Sequence, residues 1–125
     1  MNMTAALARR RGNLDQALSY LTRALAVNPS LIEAYLELGQ TYQDRRDRAR
    51  ALETYHRAIE MVEKDPRAYI QAAAAYKDSK DYRNAESMLR QAAQIAPNDP
   101  VIRRQLASIV ALNLVNNLQE APKRR

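Results

Sequence analysis

A period of 34 residues constrains the fold of this chain more than any other feature of its sequence. The pattern Tyr-x-x-Leu-Gly-x-x-Tyr at 35–42 returns as Tyr-x-x-Ala-Ala-x-x-Tyr at 69–76. With the same offset, Ala-x-x-x-Tyr-x-x-Ala at 51–58 recurs as Ala-x-x-x-Leu-x-x-Ala at 85–92 and at 17–24. Periods of roughly 20–50 residues are typical of arrays in which one small unit stacks on its neighbours. The period therefore predicts a repeat array.

Composition and helix-start signals predict that each unit is built from helices. The chain is 46% apolar but has only five Pro and two Gly in 125 residues, too few turn residues for a strand-rich domain. Caps, whose side-chain oxygens accept free backbone N–H groups, are predicted at Asn13, Asp47, Asp65, Asp81 and Asp99, with a capping box from Ser30 to Glu33. The predicted helices are 2–10, 14–27, 31–43, 48–62, 66–78, 82–95 and 100–118.

These residues resemble the tetratricopeptide repeat (TPR), whose pattern is an aromatic, Leu-Gly, Tyr, then Ala, an aromatic, Ala and finally Pro. The resemblance covers nearly the whole chain, although Glu63 replaces the closing proline of the middle repeat. It implies an all-α, right-handed helical solenoid of antiparallel helix pairs, with about three repeats and a C-terminal capping helix. The predicted organisation is one TPR domain at 1–119, with a truncated repeat at 1–31, full repeats at 32–65 and 66–99, a terminal helix at 100–118, and a basic tail at 120–125.

The sequence offers few candidates for catalysis or metal binding. Without Cys it has neither disulfides nor thiolate zinc sites, and its two Gly residues cannot form a P-loop or a dinucleotide-binding turn. The single histidine, His56, is predicted to be an exposed surface residue, because no further ligands are spaced to help it bind a metal. The prediction is a non-enzymatic protein with no cofactor.

The seven tyrosines invite comparison with a platform on which nucleic-acid bases stack. Five of them occupy repeat positions, however, so core packing is the favoured interpretation, and it extends to Met61 and Met88. The small residues Gly39 and Ala73 are predicted where paired helices cross, because small side chains let helix axes approach closely.

The resemblance implies a binding surface, since the first helices of successive TPR repeats line an inner, concave wall. The implied wall residues are Glu33, Leu36, Glu37, Gln40, Gln43, Arg67, Ile70, Gln71, Ala74, Lys77, Arg104, Gln105 and Ser108. This wall is acidic toward the second repeat, basic toward the third repeat and the last helix, and lightly apolar. We therefore expect a scaffold or adaptor that binds a short extended or helical segment of a protein partner.

One TPR subclass grips the acidic C-terminus of heat-shock chaperones through a clamp of Lys, Asn and Arg. The matching positions here are Leu36, Gln40, Gln71, Val101 and Gln105, or one repeat earlier Asn2, Ala6, Glu37, Arg67 and Gln71. Neither set supplies the clamp, so a chaperone-adaptor role is disfavoured.

Apolar residues of the last predicted helix indicate an alternative function. Leu112, Leu114, Val115 and Leu118 extend its apolar surface beyond what one neighbouring helix pair can cover. End repeats normally present a polar outer face, so this surface indicates either a continuation of the array or self-association.

The net charge of +6 keeps a third function open, namely a basic edge that binds an acidic partner or nucleic acid. Interleaved aspartates dilute this edge, so a mixed-charge rim is favoured. The predicted edge comprises Arg10, Arg11, Arg45, Arg46, Arg48, Arg50, Lys80 and Arg83. The order of charge and apolar residues at the N-terminus is wrong for a secretory signal, and the apolar run at 106–118 is too short to span a membrane. We expect a cytoplasmic protein, unless the chain is a fragment of a longer one.

Overall fold

The computed structural model describes residues 13–120, which form six helices and no strand. The helices are α1 (Leu14–Val27), α2 (Ile32–Asp44), α3 (Arg48–Met61), α4 (Arg67–Asp78), α5 (Tyr82–Ile95) and α6 (Pro100–Glu120). Each helix packs mainly on the helices before and after it, and α2 also packs on α4. This order confirms the predicted all-α helical solenoid. The helix predicted at 2–10 lies outside the described residues, and α6 continues two residues beyond the predicted end.

Side-chain caps define where most of the helices begin. Asn13, Asp47 and Asp81 each accept the backbone N–H three residues later, at 3.2, 3.2 and 3.3 Å, as predicted. Asp65 and Asp99 precede prolines and accept the N–H two residues later, at 3.0 and 2.9 Å. These local hydrogen bonds satisfy donors that a helix leaves free in its first turn, so the sequence is sufficient to place them.

The capping box predicted from Ser30 to Glu33 is wrong. The N-cap of α2 is Leu31, which makes no side-chain cap hydrogen bond. Ser30 instead donates its hydroxyl to the Oδ1 atom of Asn28 at 3.2 Å, within the turn that follows α1. Serine and asparagine side chains often form local hydrogen bonds in turns. Here the hydroxyl of Ser30 makes such a bond, so it does not cap the first turn of α2.

Two turns carry residues in the left-handed conformation that the sequence does not signal. Arg46 and Lys80, one repeat period apart, have φ of 63° and 64°. After Lys80, the N–H of Asp81 bonds the carbonyl of Tyr76 at 2.9 Å, and that of Lys80 bonds Lys77 at 2.9 Å. Paired bonds of this kind define a Schellman motif, in which glycine is the usual left-handed residue. Both turns therefore retain backbone strain that glycine would not have.

Replacing Lys80 with glycine should raise the free energy of unfolding by about 0.5–1 kcal/mol, because relief of the left-handed strain exceeds the added chain entropy. Urea denaturation followed by circular dichroism measures the change. The control is Ser79→Gly at the preceding residue, whose φ is −92°. It should be neutral or destabilising, and an equal gain in both variants would contradict the argument.

The core runs along the whole array in small clusters rather than in one centre. Tyr35 and Tyr55 are buried, as predicted, and the other five tyrosines are half-buried. Four of these five pack at the edges of the clusters, namely Tyr20, Tyr42, Tyr76 and Tyr82. Met88 is half-buried against two clusters. The prediction for Met61 is wrong: it is the last residue of α3, and 48% of it is exposed.

His56 is not the exposed residue that the sequence predicts. It is half-buried between α3 and α4, and its Nε2 atom lies 3.1 Å from the hydroxyl of Tyr76. The two rings meet edge to face with centroids 6.3 Å apart. Sequence position alone did not reveal this contact, because it depends on how α4 docks beside α3.

Candidate functional site

A groove between α4 and α6 gathers seven of the predicted wall residues. They are Ile70, Gln71, Ala74 and Lys77 on α4, and Arg104, Gln105 and Ser108 on α6. The groove has a volume of about 410 Å³. Its floor is formed by the alkyl side chains of the other lining residues, Ala73, Leu89 and Ile109, and is therefore apolar. These three residues are only 3%, 4% and 1% exposed. This arrangement combines a buried alkyl floor with a polar rim.

The packing of the helices explains why a groove opens at this point. The backbones of α2 and α4 approach each other, whereas those of α4 and α6 scarcely touch. Small side chains at Ala73 and Ala74 leave the space between α4 and α6 unfilled, and α5 closes it from below with Leu89. The 34-residue period by itself predicts equal spacing of these helices, so the opening is a tertiary feature.

The rim of the groove is cationic. Lys77 on α4 and Arg104 on α6 are both exposed, and no carboxylate is among the described residues that line the groove. Within residues 13–120, neither cation takes part in an ion pair. Both charges are therefore available to a ligand.

The α2 side of the predicted wall is different, because its charges compensate one another. The Nη2 atom of Arg67 lies 2.7 Å from Oδ2 of Asp65 and 3.5 Å from Oε1 of Glu33. The side-chain hydrogen bond from Arg67 holds the pKa of Asp65 below its ordinary value, despite the opposing effect of burial. The same bond raises the pKa of Arg67, to which Glu33 also contributes. Arg67 thus ties α4 to α2.

Other predicted wall residues have contacts within the fold. Leu36 packs against two core clusters. The Oε1 atom of Gln43 accepts the hydroxyl of buried Tyr55 at 2.6 Å, and the amide of Gln40 donates to Asp44 at 3.3 Å. The two glutamines line a separate polar pocket near the α2–α3 turn. These residues do not join the α4–α6 groove, and Glu37 and Glu33 do not line it either.

Comparison with protein families decides what kind of array this is. Tetratricopeptide repeat models match residues 8–76 and 66–109. The chain belongs to the tetratricopeptide repeat family. Together the two matches reach over the described TPR helices from α1 into α6. No curated protein sequence matches the chain significantly.

Solved TPR domains share this fold at low sequence identity. The first TPR domain of human RPAP3 gives a TM-score of 0.80 at 16% identity, covering 96% of this chain and 94% of that one. The first TPR of Spaghetti (RPAP3), bound to the HSP90 peptide SRMEEVD, gives 0.76 at 16% identity, with 90% of each chain covered. The Yersinia enterocolitica type III secretion chaperone SycD, in complex with a peptide of the translocator YopD, gives 0.76 at 19% identity and covers 96% of this chain and 92% of that one.

The exposed stripe on α6 is narrower than the sequence predicts. Leu114, Val115 and Leu118 are 62%, 51% and 69% exposed. Leu112 does not belong to this stripe, because it is half-buried and packs against the cluster that α4, α5 and α6 share. None of the six TPR helices combines the length and apolarity that a membrane crossing requires.

A buried asparagine that the sequence did not single out joins α6 to α5. The Nδ2 atom of Asn113 donates to the carbonyl of Tyr82 and to Oε1 of Glu86, both at 2.8 Å. Arg90, and then Asn113, lower the pKa of the Glu86 carboxyl through hydrogen bonds. In the sequence Asn113 only interrupts an apolar run, so nothing there reveals its partners 27 and 31 residues away.

The basic edge is only partly described. Two of its described cations are paired: the Nη1 atom of Arg45 lies 2.6 Å from Oδ1 of Asp15, and the Nε atom of Arg50 lies 3.5 Å from Oδ2 of Asp47. The edge positions 10–11 and the tail residues 121–125 lie outside the described residues. Among residues 13–120, no three His, Cys, Asp or Glu side chains are grouped so as to hold a metal ion.

The Asp65–Arg67 pair makes stability depend on pH. A carboxyl whose pKa is lowered by folding stabilises the protein above its unfolded pKa, and this stabilisation disappears as the pH falls through the folded pKa. We therefore expect Asp65→Asn to destabilise the chain at neutral pH, with a difference from the unmodified chain that shrinks below the ordinary value of 3.8. Urea denaturation at several pH values measures this difference. In an Arg67→Ala background the pH dependence should shrink but not vanish, because the backbone N–H of residue 67 still donates to Asp65. An unchanged pH dependence there would contradict the assignment.

Proposed function

We propose that this TPR chain is a non-enzymatic interaction module that binds a peptide segment of a partner protein in the α4–α6 groove. The observation that carries the proposal is the groove itself, with its buried alkyl floor and its rim of amides and cations. Its volume of about 410 Å³ falls in the range of roughly 300–1,000 Å³ that is usual for ligand sites. Two of the similar solved structures contain bound peptides, which supports a peptide as the class of ligand.

The chemistry of the lining supports binding rather than catalysis. An apolar side chain of the peptide would displace water from the more accessible alkyl groups of Ile70 and Ala74, above the buried floor, which favours binding. The amides of Gln71 and Gln105 can donate to and accept from a peptide backbone, which fixes its orientation. The described lining holds no carboxylate or imidazole, the groups that most often act as general bases.

Blocking the groove tests the proposal. Ala74 is exposed and lines the groove, so Ala74→Trp should fill the space without disturbing the core. Peptides selected from a random library by the unmodified chain should bind this variant at least about tenfold more weakly, a loss of about 1.4 kcal/mol. The matched control is Ala111→Trp, at an exposed position of α6 outside the groove, and it should bind normally. Equal binding to both variants would contradict the proposal.

The exposed stripe on α6 favours self-association as a second function. Leu114, Val115 and Leu118 form an apolar face that the described helices leave uncovered, and such faces mark association surfaces. If α6 self-associates, the double variant Leu114→Glu, Leu118→Glu should remain monomeric where the unmodified chain gains mass with concentration in light scattering. Val27→Glu, at a position 84% exposed on α1, is the control. An unmodified chain that is monomeric at all concentrations would rule this function out.

A further inference from the structure

The α4–α6 groove has a floor suited to one large apolar side chain. Its deepest residues, Ala73, Leu89 and Ile109, are alkyl groups without a hydrogen-bonding atom, and Ile70 adds to them from α4. A polar side chain placed there would lose its water without gaining a partner. The groove therefore selects for an apolar residue of the bound segment.

The two cations stand at different levels along this floor. Arg104 follows Ile70 by one repeat period of 34 residues, so Arg104 on α6 lies beside Ile70 on α4. Lys77 is seven residues farther along α4 than Ile70. At about 1.5 Å rise per residue, the two charges are separated by about 10 Å along the helix axes. An extended segment spans that distance with about three residues. One cation is thus available on each side of an apolar residue seated in the groove.

Three acidic side chains on these helices and their turns already have partners within the fold. Asp65 and Glu33 are both engaged by Arg67, and Asp99 accepts the N–H groups of the first turn of α6. The exposed cations of Lys77 and Arg104, on a described lining without a carboxylate, therefore favour anionic groups of a ligand over cationic ones.

We infer that the segment bound in this groove carries an apolar residue flanked on both sides by aspartate or glutamate, with the acidic residues about three to four positions apart. This inference rests on the proposed function and adds the chemistry of the ligand to it. The charges of Lys77 and Arg104 select the flanking residues, whereas the floor selects the central one. Because both cations are exposed, the attraction to the acidic residues weakens as salt is added.

A random peptide library displayed on phage, panned separately against three forms of the full chain, tests the inference. The forms are the unmodified chain, the double variant Lys77→Glu, Arg104→Glu, and the double variant Lys80→Glu, Arg103→Glu. The last changes the net charge equally at exposed positions outside the groove. We expect the unmodified chain and the control to select acidic residues around an apolar one. The groove variant should select lysine or arginine around the same apolar residue, and it should bind the acidic peptides at least about tenfold more weakly.

The outcomes separate the inference from the proposed function. Selected peptides that compete for the groove, shown by loss of binding to Ala74→Trp, but that have no acidic preference would overturn the inference and leave the proposed function intact. The same acidic preference in the groove variant would also overturn it. If no peptide is selected, or if every selected peptide still binds Ala74→Trp, both the proposed function and the inference are contradicted. The panning of the unmodified chain reports the preference even if a variant folds poorly.

Discussion

Replacing Tyr55 with alanine should lower the free energy of unfolding by about 3–5 kcal/mol, as is usual when a buried aromatic side chain is truncated. Tyr55 is fully buried, and among the described residues it is the largest of the fully buried side chains. It lies on α3 and packs in the cluster that joins α3 to α4. Its hydroxyl donates to Oε1 of Gln43 on α2, at 2.6 Å. The ring therefore holds three consecutive helices together.

The loss should be visible as a lower midpoint in urea denaturation, and also as reduced cooperativity. In a repeat array each unit is stabilised by its neighbours, so weakening the middle of the array uncouples its two ends. Tyr55→Phe is the matched control, because it keeps the ring and removes one hydrogen bond, for a loss of about 1 kcal/mol. Tyr69→Ala, at a half-buried ring, should lie between the two. A Tyr55→Ala variant as stable as Tyr55→Phe would show that the ring is not the central contact.

Gly39→Ala should destabilise the chain by about 1–3 kcal/mol, the usual effect of overpacking a tight contact. A Cβ atom at Gly39 would lie 2.5 Å from Cζ and 2.8 Å from Cδ1 of Tyr55, and closer still to Cε1. Real Cβ atoms essentially never approach other atoms so closely, so the fully buried ring of Tyr55 would have to shift. Gly39 is therefore required by the crossing of α2 and α3 and not by a turn, since it lies inside a helix.

The sign of the Gly39 effect should reverse when the ring is absent. In a Tyr55→Ala background the clash is gone, and Gly39→Ala should then stabilise the chain by about 0.8–1 kcal/mol through helix propensity. The four proteins form a double-mutant cycle, measured by urea denaturation in the same buffer. Losses that simply add in the double variant would contradict a direct contact between the two positions.

Much of the fold could be predicted because its signals are local. The helices predicted at 14–27 and 82–95 agree with α1 and α5 at both ends, since a cap residue marks each start and the period repeats each length. The same signals failed where two local partners compete, as at Ser30, whose hydroxyl binds Asn28 in the turn. They also failed at Lys80, where a residue other than glycine occupies a left-handed position.

The candidate site could be predicted only in part. The face of each helix that carries the wall residues follows from helical spacing, and that was sufficient to name the residues of the groove rim. Whether their charges are free does not follow from spacing. Arg67 pairs with Asp65 and also with Glu33, which lies 34 residues earlier, whereas Lys77 has no ion-pair partner among residues 13–120.

The all-α repeat architecture, the side-chain caps of five of the six described helices and the small residues at the crossings follow from the sequence alone, because caps and periodicity act through neighbours along the chain. Three features became visible only in the folded chain: the separation of α4 and α6 that opens a groove, the contact of Asn113 that joins α6 to α5, and the contact of His56 with Tyr76. These features depend on distances between helices. Such distances are set by how the side chains of neighbouring helices fill the space between them. A repeating sequence pattern describes every unit in the same way, so it cannot show where two helices lie farther apart.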